Sequence, residues 1–132
     1  RLDPTGDLES RSGDFVIQSD APSTPYCTGF FLARNTENTR NYIHELITVN
    51  NEHQNLGYTH IGDQMSFILV SKKYPKVADI SDLPRQLYPN GDALMNNIYD
   101  ESNFFIGHGN YVVGRENKRE LLKEHGLWLI GE

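Results

Sequence analysis

Phe15-Val16-Ile17-Gln18-Ser19-Asp20 is an apolar run that turns polar at its C-terminal end. Three consecutive apolar residues predict a buried strand, and the Gln-Ser-Asp ending puts polar groups at a strand end, where open α/β sheets hold their ligands. Thr28-Gly29-Phe30-Phe31-Leu32-Ala33 predicts a second buried strand, with Gly29 marking a close backbone approach. Pro22 and Pro25 make the connection between the two irregular.

Beyond this pair, Asn35 or Thr36 can cap a helix that turns Tyr42, Ile43, Leu46 and Ile47 inward, and the polar run Asn50 to Asn55 reads as the loop ending it. Asp63 can cap a further helix with a Met65, Ile68, Leu69 stripe; Lys72-Lys73 suit its negative C-terminal end, and Pro75 stops it. Val77–Ile80 and Leu83–Tyr88 read as short strands, the latter closed by the turn Pro89-Asn90-Gly91. Phe104-Phe105-Ile106 is another short apolar run, leading into His108. A last helix covers about Arg115 to His125, Gly126 ends it, and Leu127-Trp128-Leu129-Ile130 packs back.

Upstream of Phe15, the polar residues 1–14, interrupted by Pro4, Gly6 and Gly13, predict a leading loop. Strand-like runs alternating with helices make residues 1–132 an α/β domain, or part of one.

The charge balance narrows the partners. Twelve basic and 18 acidic residues give a net charge of −6, without the basic stripe of a general nucleic-acid binder, so any phosphate site is local. Cys27 is the single cysteine, which excludes an intrachain disulfide and a multi-cysteine zinc site. No apolar stretch approaches the ~20 residues of a membrane-crossing helix, and the first residues lack the pattern of a signal peptide.

Chemistry concentrates in Gly107-His108-Gly109-Asn110-Tyr111-Val112-Val113-Gly114-Arg115-Glu116-Asn117-Lys118. Glycines on both sides of His108 weaken a strand there but let a ligand reach the backbone. His108 is either a hydrogen-bonded strand residue or a metal ligand. Lys118 near a helix start opposes the helix dipole, a placement that an anion between them would reverse; otherwise it is a solvated helix residue. Asp63-Gln64 is either a cap and a first-turn residue or a carboxylate–amide pair that forks sugar hydroxyls. Cys27 has no evident cationic neighbour and reads as a packed residue rather than a nucleophile. Trp128 belongs to the core or walls a ligand pocket.

In order and spacing these pieces resemble the nucleotide-diphospho-sugar transferase family of retaining glycosyltransferases with a GT-A-type fold. The resemblance runs over nearly the whole chain. It is carried by Asp14 to Asp20, Cys27-Thr28-Gly29-Phe30, Gly62-Asp63-Gln64, Leu83-Pro84 with Leu87 to Gly91, His108-x-Asn110, Gly114, Lys118 and Trp128. It implies a mixed sheet flanked by helices, the later half of a Rossmann-like GT-A fold. It also implies transfer of a sugar from a nucleoside-diphosphate sugar, a UDP-sugar in the first place, to the hydroxyl of a glycan or glycoside acceptor.

By the same resemblance, His108 is a ligand of a divalent metal, Mn²⁺ before Mg²⁺; Gly114 and Lys118 hold the diphosphate, with Asn110 positioned beside them. Asp63 and Gln64 serve the donor sugar and the reaction centre, and Asp20, Thr28 and Gly29 line the sugar or acceptor side. Arg1-Leu2-Asp3-Pro4 resembles the segment that follows the family's Asp-x-Asp strand. On that alignment the nucleoside-binding half lies outside residues 1–132, and the alternative function is a non-catalytic carbohydrate- or nucleotide-binding module of the same fold. The compartment follows the source: the Golgi lumen for an anchored eukaryotic enzyme, the cytoplasm for a bacterial or viral one.

Overall fold

Strand β1 (Phe15–Ser19) is the centre of a three-stranded mixed sheet in the computed structural model, which describes residues 2–21, 24–58 and 61–128. β2 (Tyr26–Ala33) runs antiparallel to β1 on one side and β3 (Ile80–Leu83) parallel to it on the other. With both edges paired and both faces covered, Phe15, Val16 and Ile17 are buried, as the apolar run predicts, and Gln18 is buried with them.

The side-chain alternation of β1 divides the core in two. Phe15 and Ile17 pack with Tyr42, Val49, Phe67, Val70 and Ala78, in an aromatic cluster where Phe15 and Phe67 meet edge to face at 5.4 Å. Val16 packs on the opposite face with Leu83 and Tyr88, where Phe105 stacks on the Tyr88 ring. Gln18, two residues on from Val16, shares that second face, so a primary amide is buried where periodicity alone would put an apolar residue.

The β1–β2 ladder has an irregularity that matters for function. Ile17 pairs with Phe31, but the next pair is Gln18 with Cys27, so Thr28, Gly29 and Phe30 are left out of register on β2. Such bulges re-aim side chains and backbone at the rim of a sheet.

Five helices surround the sheet among the described residues. α1 (Pro4–Ser10) replaces the leading loop expected over residues 1–14: Asp3 accepts from the Thr5 amide as the cap, and Pro4 occupies the first turn, where its missing N–H costs nothing. α2 (Glu37–Asn55) is capped by Thr36, as expected, but extends through Asn50–Asn55, which reads as loop in the sequence. Its inward positions are Thr39, Tyr42, Leu46 and Val49, while Ile43 and Ile47 are 44% and 57% exposed. A stripe spaced 3, 4 and 3 residues leaves the residue after each buried one about 100° round the helix, toward solvent.

α3 (Gly62–Lys73) packs on α2, with the Tyr42 hydroxyl donating to the Phe67 carbonyl at 2.8 Å. It turns Phe67, Ile68 and Val70 inward and leaves Met65 exposed, against the expected Met65 stripe. The strands expected at Val77–Ile80 and Leu83–Tyr88 are corrected to one strand, β3, which takes the last residue of the first and the first residue of the second. Its ladder to β1 runs from Ile80 to Leu83 and ends where Pro84 follows.

The turn expected at Pro89-Asn90-Gly91 is the start of α4 (Gly91–Met95), with Asn90 Oδ1 accepting from the Ala93 amide. Phe104-Phe105-Ile106 does not form a strand. The segment runs beside residues 87–90 instead, with Phe105 N–H donating to the Leu87 carbonyl and His108 N–H to the Pro89 carbonyl. α5 (Arg115–Glu124) matches its expected span, with Leu121 buried and Gly126 at φ +62° just past its end. Leu127 and Trp128 fold back onto the Leu122 carbonyl; Leu129 and Ile130, like Pro22, lie outside the described residues.

Candidate functional site

The end of β1, the β2 bulge, the start of α3 and residues 88–110 converge on one buried polar cluster. Asp20, immediately after β1 and 8% exposed, is its hub. One carboxylate oxygen accepts from Asn90 Nδ2 at 2.8 Å and Asn110 Nδ2 at 3.3 Å, and the other from Gln64 Nε2 at 3.0 Å and the Thr24 hydroxyl at 3.5 Å. Four donors converging on two oxygens satisfy a carboxylate whose burial would otherwise be costly.

His108 lies beside the hub. Its Nδ1 is 2.9 Å from Gln18 Oε1 and 3.6 Å from Cys27 Sγ, and no hydrogen bond to its Nε2 occurs among the described residues. Gly29 in the β2 bulge passes over the ring: a Cβ there would overlap Cε1 and stand 2.9 Å from Nε2. The close approach read from Gly29 is therefore an approach to His108. Burial pushes the imidazole below its ordinary pKa and the Lys118 ammonium adds to this, while Asp20 pulls it back.

Cys27 is buried, and that burial pushes its thiol up, against the pull of the Gly29 amide. Asn110 Nδ2 donates to its sulfur at 3.3 Å. A protonated, enclosed thiol is a packed residue, in line with the sequence.

Asp63 and Gln64 diverge. α3 begins at Gly62 with no side-chain cap, so Asp63 is not the cap expected of it. Its carboxylate accepts instead from the Thr28 hydroxyl in the bulge at 2.9 Å, and the side chain is exposed. Gln64 faces Asp20, and the two line a cleft of about 340 Å³ with Thr24, Asn110 and Tyr111. Tyr111 stands at φ +66°, a left-handed backbone that is unusual for a bulky residue and that holds its half-exposed ring at this cleft.

Asn110 is tied on both sides of its amide, donating to Asp20 and Cys27 while its Oδ1 accepts from the Gly91 amide at 2.6 Å. Gly91 has no room for a side chain there, because a Cβ would overlap the Asn110 backbone.

Gly114 and Lys118 occupy different surroundings. Gly114, at φ +91°, precedes α5, whose first turn has no side-chain cap, and a cleft of about 490 Å³ is lined by Gly114, Arg115, Lys118, Arg119, Leu122 and Trp128. Uncapped N–H groups and the exposed Arg115 and Lys118 make this helix start positive, offset in part by Glu116 in the same turn. Trp128 walls this cleft.

Four participants escape the sequence reading: Gln18, Thr24, Asn90 and Tyr111. Gln18 left a trace, as a primary amide inside an apolar strand. The other three lie in turn-like segments whose composition is ordinary for a loop.

No protein-family model, curated protein or solved structure matches this chain.

Proposed function

We propose that this chain forms the diphosphate and sugar side of a glycosyltransferase that moves a sugar from a nucleoside-diphosphate sugar to a hydroxyl acceptor with retention, on a GT-A-type fold. One observation carries the reading. Side chains from Asp20 to His108 gather in a single cluster that leaves His108 Nε2 without a hydrogen bond among the described residues, beside the electropositive start of α5.

Lys118 and the first amides of α5 stabilise charge on the departing diphosphate, with Gly114 keeping the approach open. Gln64, held by Asp20, offers its carbonyl oxygen to a sugar hydroxyl, and the exposed Asp63 carboxylate, turned to the Thr28 hydroxyl, serves the reaction centre from the β2 bulge. Asn110 and Asp20 position these groups rather than reach the ligand, since their polar atoms already have protein partners.

A divalent metal fits His108 as one nitrogen donor. Among the described residues no group of three His, Cys, Asp or Glu side chains gathers round it, and both Asp20 oxygens are engaged, so the remaining ligands belong outside those residues. When bound, Mn²⁺ or Mg²⁺ supplies Lewis-acid stabilisation of the diphosphate.

The test uses a protein that includes the nucleoside-binding half. His108→Ala and Lys118→Ala each reduce metal-dependent release of nucleoside diphosphate by at least 10²-fold; near-normal turnover in both sinks the assignment. Asp63→Asn lowers kcat more than nucleotide affinity.

The second reading, a non-catalytic carbohydrate- or nucleotide-binding module, is favoured by the complete internal pairing of Asp20. Calorimetry with UDP and Mn²⁺ separates the two: metal-dependent nucleotide binding supports the transferase, and metal-independent sugar binding supports the module.

A further inference from the structure

We infer that Gln18 is a positioning residue that locks His108 in the Nδ1–H tautomer and so leaves the lone pair on Nε2, the ring nitrogen that has no hydrogen bond among the described residues. Gln18 is fully buried. Its Nε2 donates to the Tyr88 carbonyl at 2.9 Å, a bond the opposite amide orientation cannot make, because it would set two oxygens against each other. The atom facing His108 Nδ1 at 2.9 Å is therefore the amide oxygen, Oε1. An oxygen without a proton accepts, so Nδ1 carries the hydrogen and the neutral ring has its lone pair on Nε2.

The lock is anchored twice to one stretch of backbone. The Tyr88 carbonyl orients Gln18, and the adjacent Pro89 carbonyl receives the His108 backbone N–H at 2.8 Å. The competing neighbour at Nδ1, Cys27 Sγ, is 3.6 Å away and receives a hydrogen bond from Asn110. A histidine side chain in water favours the other tautomer, with the proton on Nε2, so the preference here is imposed by the fold. Gly29 completes the arrangement, since any side chain there would crowd Nε2.

A lone pair fixed in direction by a buried amide suits a borderline divalent cation, and the amide acts as the outer hydrogen-bond partner that tunes a metal-binding imidazole. The cation rests on the transferase reading; the tautomer does not.

The experiment is ¹⁵N NMR of the imidazoles at pH 8 in metal-free wild-type protein that includes the nucleoside-binding half, with His108 assigned by its loss in His108→Gln, followed by titration with Mn²⁺ alone. The expected result is a protonated Nδ1 and an unprotonated Nε2 at His108. Gln18→Met loses this tautomer preference and weakens Mn²⁺ binding 10- to 100-fold.

A wild-type spectrum with the proton on Nε2 overturns the inference without reference to any variant. An unchanged tautomer in folded Gln18→Met overturns the role of Gln18. A locked Nδ1–H tautomer with no Mn²⁺ binding upholds the lock and counts against the metal reading of the proposed function.

Discussion

The Asp20 cluster and the start of α5 differ in how their polar groups are satisfied. Around Asp20 a buried carboxylate is surrounded by three amides and a hydroxyl. At α5 the helix start is uncapped, Arg115 and Lys118 are exposed, and a broad cleft opens beside Trp128. The first region is built to hold a geometry before any ligand arrives. The second leaves its first amides without a side-chain cap, with Glu116 the acidic side chain of the first turn and Arg115 and Lys118 exposed beside it. On the proposed function the contrast separates residues that position from residues that bind, and it predicts opposite responses to mutation.

The largest effect is expected at the hub. Asp20→Ala leaves the buried Asn90 amide and the cleft-lining Asn110 and Gln64 amides without their shared acceptor and should cost about 2 kcal/mol of stability, read from urea unfolding at constant m-value. A loss under about 0.5 kcal/mol would mean that water from the cleft replaces the carboxylate, and the contrast with α5 would fade.

Gly29→Ala comes next. The added methyl meets the His108 ring, and displacing it should cost about 2 kcal/mol while broadening the His108 imidazole resonances. An undisturbed ring would show that the bulge yields instead of the histidine.

The pH profile gives a third, intermediate effect. Asp14 is held below the usual carboxylate range chiefly by the Thr36 hydroxyl and then by the Asp79 amide, against a smaller opposing cost of burial. A carboxyl depressed in the folded state contributes stability that is complete above its unfolded value of about 4 and is lost as pH falls through the folded value. Stability should therefore decline below about pH 4, and Asp14→Asn should shallow that decline; an unchanged slope would show that other carboxylates set it.

The smallest stability effect belongs to Lys118→Ala, expected within about 0.5 kcal/mol of wild type. The same change should raise thermal stability slightly, by removing a cation from a helix start, and should weaken pyrophosphate binding measured by calorimetry. A large loss of stability would place Lys118 with the positioning residues after all.

Several of these distinctions are legible in the chain. The β1 run, the Thr36 cap, Gly29 as a close approach and the span of α5 follow from local rules, because capping, burial of short apolar runs and glycine's lack of Cβ depend on few neighbours. The inward face of α2 was less legible. Its isoleucines look like core by type, but the helix is docked through Thr39, Tyr42, Leu46 and Val49, a register set by α3 and the Phe15–Phe67 aromatic cluster. The same holds for residues 77–91, where two apolar runs each resemble a strand, and β1 has room for one parallel partner on that side.

By itself the sequence determined that this is an α/β chain with an apolar central strand, a short list of polar residues grouped near strand and helix ends, and a cationic helix start. Tertiary structure alone decided what those polar residues do. Gln18 is an ordinary strand amide until Tyr88 and His108 arrive from some 70 and 90 residues away. Asp20 is an exposed-looking acid until Gln64, Asn90 and Asn110 close on it. Hydrogen-bond partnership, and with it the tautomer of an imidazole or the freedom of a carboxylate, is a property of atoms brought together, and no window of sequence contains both partners.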